Sequence, residues 1–240
     1  VRRQGRGEMS VNDLSRVLDV SLSTLRKQLA VMQSKGLVIR TYGGVMPVNR
    51  VPDETFESKL HKNMSEKRRI AVKARTMINS VESISLGSGT TVFELSNLLA
   101  DIPHGIIYTN SMQAADYLAR CAGLEVHICS GVIRSHTGTI IGNEAASYFK
   151  QLPQVDYAFI GCDAIDSSGD VYSENMAVAL VEKTVLLNAK HKYILCDSSK
   201  IGKTAVAHIV NLRECDGIIT ANLESGIAEN FKFLTEVIYA

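Results

Sequence analysis

From Ser83 to Tyr239 short apolar runs alternate with stretches of helical periodicity, and this alternation restricts the fold more than any other feature of the chain. The strand candidates are Ser83–Leu86, Gly105–Thr109, 125–130, 156–161, 193–197, Gly217–Thr220 and Glu236–Tyr239. Helix candidates lie between them at 92–99, 113–120 and 176–189. The pattern predicts an α/β body, a mainly parallel sheet covered by helices. In such sheets ligands bind at the carboxyl ends of the strands.

A helix precedes the first strand, with Ser65 as cap, Glu66 in the first turn, and Ile70, Ala71, Ala74, Met77 and Ile78 on one face. Between Pro47 and Met64 lie two of the four prolines and no sustained period. A linker is therefore placed at 51–64, separating a head at 1–50 from the α/β domain at 65–240. A total of 240 residues suits one small module and one medium domain.

Charge divides the chain at the same place. Residues 1–50 hold nine Lys or Arg against three Asp or Glu, and the remainder holds 17 against 22, so a net charge of +1 hides a basic head on an acidic body. A local basic segment suits a polyanion, because neutralising phosphates supplies most non-specific nucleic-acid affinity. A merely solvated basic face fits the charge as well. Five cysteines, Cys121, Cys129, Cys162, Cys196 and Cys215, show no C-x-x-C spacing, which argues for neither a disulfide framework nor a zinc site. No stretch approaches the ~20 apolar residues of a membrane span, and the first residues lack a signal peptide's apolar region. A reducing cytoplasm is the expected setting.

In the head, Val11, Leu14, Val17 and Leu18 recur at helical spacing, the pattern halts at Asp19-Val20-Ser21, and it restarts through Leu22, Leu25, Leu29 and Met32. Ser21 or Ser23 can cap the second helix, whose outer face then carries Ser21, Ser23, Thr24, Arg26, Lys27 and Gln28. Short hydroxyls at a helix start with cations one turn later suit a helix that reads DNA, although an ordinary helical hairpin has the same pattern. Gly36 ends that helix, 37–42 is a short strand candidate, and Gly43-Gly44 turns the chain into Val45-Met46. A helix pair followed by a hairpin is the winged variant of helix-turn-helix.

In the body, residue types that bind anions and hydroxyls gather where strands end. Leu86-Gly87-Ser88-Gly89-Thr90-Thr91 leaves a strand and opens a helix, so its glycines let amides approach an anion while the hydroxyls add donors. Thr109-Asn110-Ser111, Ser130-Gly131, Gly161-Cys162-Asp163-Ala164 and Asp197-Ser198-Ser199-Lys200 take the same position after later strands. Lys200 can supply a compact charge to a phosphate, and Asp163 can accept from sugar hydroxyls. Each cluster alone also serves as a cap or a turn.

The run Val20-Ser21-Leu22-Ser23-Thr24-Leu25-Arg26-Lys27-Gln28-Leu29, followed by Gly36 to Val45, resembles the V-S-x-x-T-[IL]-R-[RK]-D-L and G-x-[LV]-x-R-x-[HY]-G-G signature of the DeoR family. Glu66-Lys67-Arg68-Arg69-Ile70-Ala71 is similar to that family's Glu-Lys-Arg-x-Ile-Ala run. Ser88-Gly89-Thr90-Thr91 is similar to its D-x-G-T-T loop, Thr109-Asn110-Ser111 to T-N-S, Ser130-Gly131 to G-G, Asp163 to Asp166 to D-G-I-D, and Asp197 to Gly202 to D-x-S-K-F-G. The likeness extends from Met9 over nearly the whole chain. It departs at Gln28, Gly87, Ser130 and Ala164, and the family's first helix has no obvious counterpart in Val1 to Ser10, so either a chain shortened at its start or an incomplete head is expected.

The resemblance implies a transcription regulator, expected as a repressor, with a sensor domain resembling ribose-5-phosphate isomerase. Its implied DNA-binding set is Ser21, Ser23, Thr24, Arg26, Lys27 and Arg40. Its implied effector-binding set is Ser88, Gly89, Thr90, Thr91, Asn110, Ser111, Gly131, Asp163 and Lys200. The implied partners are a double-stranded DNA operator, a phosphorylated sugar or sugar alcohol, and further copies of the chain in a dimer or tetramer. No catalytic set, metal or cofactor is expected. Two other functions fit the same residues: a sugar-phosphate isomerase or deaminase built on the body, and a sensor that has lost DNA binding.

Overall fold

A computed structural model divides the chain into two units, residues 1–53 and 54–240, and describes residues 9–34, 38–40, 44–47, 54–78 and 83–240. In the first unit, β1 (Met9–Ser10) leads directly into α1 (Val11–Leu18), because the Ser10 hydroxyl accepts the Asp13 amide at 3.0 Å and caps the helix. Asp19, at φ 51°, ends α1 in the left-handed region, and α2 (Leu22–Ser34) follows. Of the two expected caps, Ser21 is the one used: its hydroxyl accepts the Thr24 amide at 3.2 Å. β2 (Val38–Arg40) and β3 (Gly44–Pro47) form the expected hairpin, and β1 adds an unexpected third antiparallel strand, with Met9 opposite Val45. Gly36 and the turn before Gly44 lie outside the described residues.

Leu25, Leu29, Val38 and Val45 form the buried centre of this unit, with Val11, Leu14 and Val20 packed against it. Val17, Leu18, Leu22 and Met32 share the helical period but are exposed, Val17 by 61%. Among the described residues two short helices and a three-stranded sheet enclose only a few side chains, and there the apolar period is longer than the core it feeds. With so small a core, each cap counts. Ser10→Ala should cost about 1 kcal/mol of head stability, read as faster amide exchange in α1 with the body unchanged.

The second unit opens with α3 (Phe56–His61) and α4 (Met64–Met77), so 54–64 is folded structure where a linker is expected. Thr55 caps α3 through the Ser58 amide, and Phe56 is buried edge-on against Phe93, with ring centres 5.4 Å apart. Six residues are too few to register as a helical period. Asn63, at φ 50°, starts α4 in place of the expected Ser65.

The sheet strands follow in the expected alternation: β4 (Ser83–Leu86), α5 (Thr90–Ser96), β5 (Gly105–Thr109), α6 (Met112–Leu118) and β6 (Leu124–Ile128). A hairpin of β7 (Val132–Arg134) and β8 (Thr139–Ile141) leads to α7 (Asn143–Gln151) and β9 (Val155–Gly161). After β10 (Ala164–Ile165) and β11 (Asp170–Ser173) come α8 (Met176–Leu187), β12 (Ala189–Leu195), β13 (Ala207–Asn211), β14 (Gly217–Thr220), α9 (Ser225–Lys232) and β15 (Glu236–Tyr239).

Seven strands form one parallel sheet in the order β15-β14-β12-β9-β4-β5-β6. β10, β11 and β13 form a separate antiparallel sheet. Side chains alternate between the two faces of the main sheet. Ala158 and Ile160 join Phe149, Val181 and Val185 on one face, and Phe159 joins Ile70, Val92 and Leu95 on the other. The chain runs outward from β4 to β6 and then returns to place β9 on the other side of β4. The strand order therefore reverses between β4 and β9, where doubly wound sheets open a crevice at the strand ends.

Candidate functional site

A cleft of about 330 Å³ opens at that reversal. Its wall includes the loop after β4 (Ser88, Gly89, Thr90, Thr91), the residues after β9 (Gly161, Cys162, Asp163), Asp197, Ser199 and Lys200 after β12, and Arg134 and Thr137 from the hairpin. Lys59 of α3 and Lys67 of α4 also line it, as do the carboxylate residues Glu54, Glu174 and Glu182. Gly89 has φ 106°, where an L side chain is strained, so glycine is required for the loop to turn.

The Thr90 and Thr91 hydroxyls make no hydrogen bond to the described residues, although both residues are mostly buried. Ser88 is different. Its amide (2.9 Å) and hydroxyl (2.7 Å) both donate to Oε1 of Glu182, on the inner face of α8. Asn110 Nδ2 donates to the same oxygen at 3.3 Å. Glu182 is 2% exposed, and its Oε2 is buried with no hydrogen-bond partner. Burial pushes its carboxyl up to about 7, against the donors from Ser88 and Asn110, with the Asp163 charge adding to the rise.

Asp163 is nearly saturated. Its Oδ1 accepts Lys59 Nζ at 2.9 Å, and its Oδ2 accepts the Ser173 hydroxyl at 3.1 Å and the Glu174 amide at 2.9 Å. Lys200 Nζ lies 3.8 Å away. Burial opposes ionisation of Asp163, but the charges of Lys59 and Lys200 and the Glu174 amide outweigh it and hold the carboxyl below its ordinary range. Lys59 also reaches Glu174 at 3.6 Å. Burial works against its charge, and Asp163 more than compensates. Asn63, at the start of α4, donates to Asp197 Oδ1 at 2.8 Å.

Lys67 is 3% exposed, and its ammonium donates to the Lys59 carbonyl. Among the described residues no carboxylate oxygen lies within 4.0 Å of it, and burial lowers its pKa with Asp197 only partly opposing. A buried cation without a paired anion is costly unless an anion is supplied.

Of the expected effector residues, Ser88, Gly89, Thr90, Thr91, Asp163 and Lys200 meet in this cleft. Asn110, Ser111 and Gly131 do not line it. Asn110 stands behind the wall, and Ser111 is 2% exposed and caps α6 through the Ala114 amide. Gly131, at φ 141°, turns the chain into β7, and a Cβ there would meet the Ile141 carbonyl oxygen at 2.6 Å. Sequence reasoning missed Lys59, Lys67, Arg134 and Glu182. Glu182 had a legible signal, a lone carboxylate inside the apolar run Met176 to Leu187.

In the head, Ser21, Ser23, Thr24, Arg26 and Lys27 are all exposed at the start of α2. The three hydroxyls hydrogen-bond one another, Ser21 to Ser23 at 3.0 Å and Ser21 to Thr24 at 2.9 Å. Arg40 lies in β2, and its side chain is outside the described residues.

Comparison with known proteins agrees with this division. The DeoR C terminal sensor domain matches residues 62–222 and the DeoR-like helix-turn-helix domain matches residues 4–51. The HTH-type transcriptional repressor CsqR of Escherichia coli (strain K12) is 30% identical over 91% of this chain and 83% of that protein. The glycerol-3-phosphate regulon repressor of the same organism is 24% identical over 89% and 84%. Among solved structures, a D-ribose-5-phosphate isomerase in complex with phospho-erythronic acid is 21% identical, covering 57% of this chain and 54% of that one, with a TM-score of 0.43. The two matched domains, in this order and over this length, place the chain in the DeoR family of transcriptional regulators.

Proposed function

We propose that the chain is a DNA-binding repressor of sugar or sugar-alcohol metabolism genes, released from its operator by a phosphorylated sugar held in the cleft of the body. The observation that carries the effector reading is Lys67, a buried ammonium with no carboxylate in pairing distance among the described residues, lining the same cleft as Lys200 and as the Thr90 and Thr91 hydroxyls, which make no hydrogen bond to the described residues. A phosphate monoester supplies the missing anion, and its sugar hydroxyls find Asp163 in the same cavity.

Asp163 also gives the ligand a route to the head. Its carboxylate is occupied by Lys59, so a sugar hydroxyl that hydrogen-bonds to it competes with that lysine. Lys59 belongs to α3, the first helix after residue 53, where the first unit ends. Exchange at Asp163 thus acts on the first helix that follows the head in the chain, a differential contact of the kind any ligand-driven shift needs.

The head reads DNA through α2, with Arg26 and Lys27 as phosphate contacts and Ser21, Ser23 and Thr24 at the close-approach end. Helix-turn-helix heads use paired half-sites, so the working species is a dimer or tetramer. Arg26→Ala and Lys27→Ala should each weaken operator binding and lower the slope of log K against log salt by about 1.

The effector reading is tested by melting. A sugar phosphate at tenfold its Kd should stabilise the protein by about 1.4 kcal/mol, seen as a rise in Tm, and Lys67→Met should remove that rise. A broad panel of sugar phosphates with no shift would count against it.

A sugar-phosphate isomerase is the second reading, favoured by the raised pKa of Glu182. Pure protein should nevertheless leave ribose-5-phosphate unturned. Oε1 of Glu182 is taken by Ser88 and Asn110 and Oε2 is enclosed, so neither oxygen is placed to take a proton from a bound sugar.

A further inference from the structure

Gly87 and Glu182 share one space. A Cβ on residue 87 would sit 2.0 Å from Oε2 of Glu182, nearer than any real contact, so the carboxyl of α8 fills the volume that a side chain at 87 would take. The other oxygen holds Ser88 by both its amide and its hydroxyl, which fixes the first residue of the loop that turns at Gly89. A carboxyl from a distant helix therefore stands behind the proposed anion loop, with one oxygen enclosed and unpartnered.

We infer that Gly87 and Glu182 form a single positioning unit for the anion loop, and that this unit takes up one proton when a phosphate or sulfate group seats in the cleft. The inference rests on the effector reading above. Placing an anion one residue from a desolvated carboxylate sets two negative charges against each other in a low dielectric. The proton binds at Oε2, the oxygen without a donor, and Oε1 remains the acceptor for Ser88, so the loop keeps its shape while the carboxyl loses its charge.

The groups facing this carboxyl are Ser88, Asn110, the Cys129 thiol, which burial pushes up to about 12, and Asp163. Lys59 and Lys200 lie directly against Asp163, at 2.9 and 3.8 Å. Asp163 and Cys129 change charge outside the neutral range, the one held low by its lysines and the other held high by burial. Glu182 alone among these groups has a pKa of about 7.

The test is calorimetric titration of the full chain with inorganic sulfate, which has no ionisation of its own near neutrality, in two buffers of different ionisation enthalpy at pH 7.5. The native protein should take up about half a proton or more per sulfate, and Glu182→Gln should bind sulfate with no uptake. Equal uptake by both proteins would overturn the inference and leave the effector reading standing. Absence of binding to either, for sulfate and for inorganic phosphate alike, would overturn both. A second measurement needs no ligand: because Ile160 Cγ2 also lies 3.0 Å from a Cβ at residue 87, Gly87→Ala should lower Tm in both backgrounds, and by clearly more in the native one than in Glu182→Ala. Equal losses in the two backgrounds would show that the residues do not act as a unit.

Discussion

Lys59→Met should bind a sugar phosphate and no longer release the operator in response to it. The expected loss is the whole coupling free energy between the two sites, about 1–3 kcal/mol, or 5- to 150-fold in operator affinity. The reason is the geometry at Asp163, where Lys59 Nζ at 2.9 Å, the Ser173 hydroxyl and the Glu174 amide already fill most of the carboxylate's acceptor sites, so a ligand hydroxyl arriving there competes with them. Ser173 ends β11 and Glu174 sits between it and the Asn175 cap of α8, whereas Lys59 comes from a helix of only six residues. Lysine is the partner that can move. Fluorescence anisotropy of labelled operator DNA, with and without the sugar phosphate that raises Tm most, measures the coupling directly. A Lys59→Met protein that responds like the native one would show that the signal takes another path.

Glu182→Gln should stabilise the body at pH 8 by about 3 kcal/mol and change it much less at pH 5. The sign follows from the direction of the shift. Burial raises the folded-state carboxyl from 4.5 to about 7, so the folded protein binds the proton more tightly than the unfolded chain. Stability then falls as pH rises from about 4.5, and the cost is complete above about 7. Asp163 and Asp197 act in the opposite sense, since both are held below their ordinary value and their contribution is lost as pH falls through the acid range. The two windows barely overlap, and subtracting the variant's pH profile from the native one isolates Glu182. Urea unfolding followed by circular dichroism at several pH values gives this difference. A difference that stays constant from pH 5 to 8 would mean that the carboxyl titrates normally.

The long-range plan was legible because it is written in period and alternation. β4, β5, β14 and β15 begin and end where apolar runs bounded by turn residues place them. β1, of two residues, and β10, also of two, have no period at all, and each exists only because a partner strand elsewhere in the chain pairs with it. The cleft was half legible for a related reason. Gly89, Thr90, Thr91, Asp163 and Lys200 follow strands, so strand assignment locates them. Lys59 and Lys67 reach the cleft from helices that precede the first sheet strand, and nothing in their local sequence distinguishes them from solvated lysines. Asn110 and Ser111 also follow a strand, yet they turn inward, which depends on the packing of α6 and α8 and not on the strand end itself.

The central claim is that one chain couples a phosphosugar cleft to a DNA-reading head. It is tested most directly by measuring the affinity of the full chain for the DNA upstream of its own gene, at fixed salt, across a panel of sugar and sugar-alcohol phosphates. The account predicts that at least one member weakens binding fivefold or more, about 1 kcal/mol, that Lys67→Met abolishes this response while DNA binding persists, and that Arg26→Ala with Lys27→Ala removes the DNA binding itself. Tight, salt-dependent DNA binding that no phosphorylated sugar alters, in a protein whose Tm none of them raises, would contradict it.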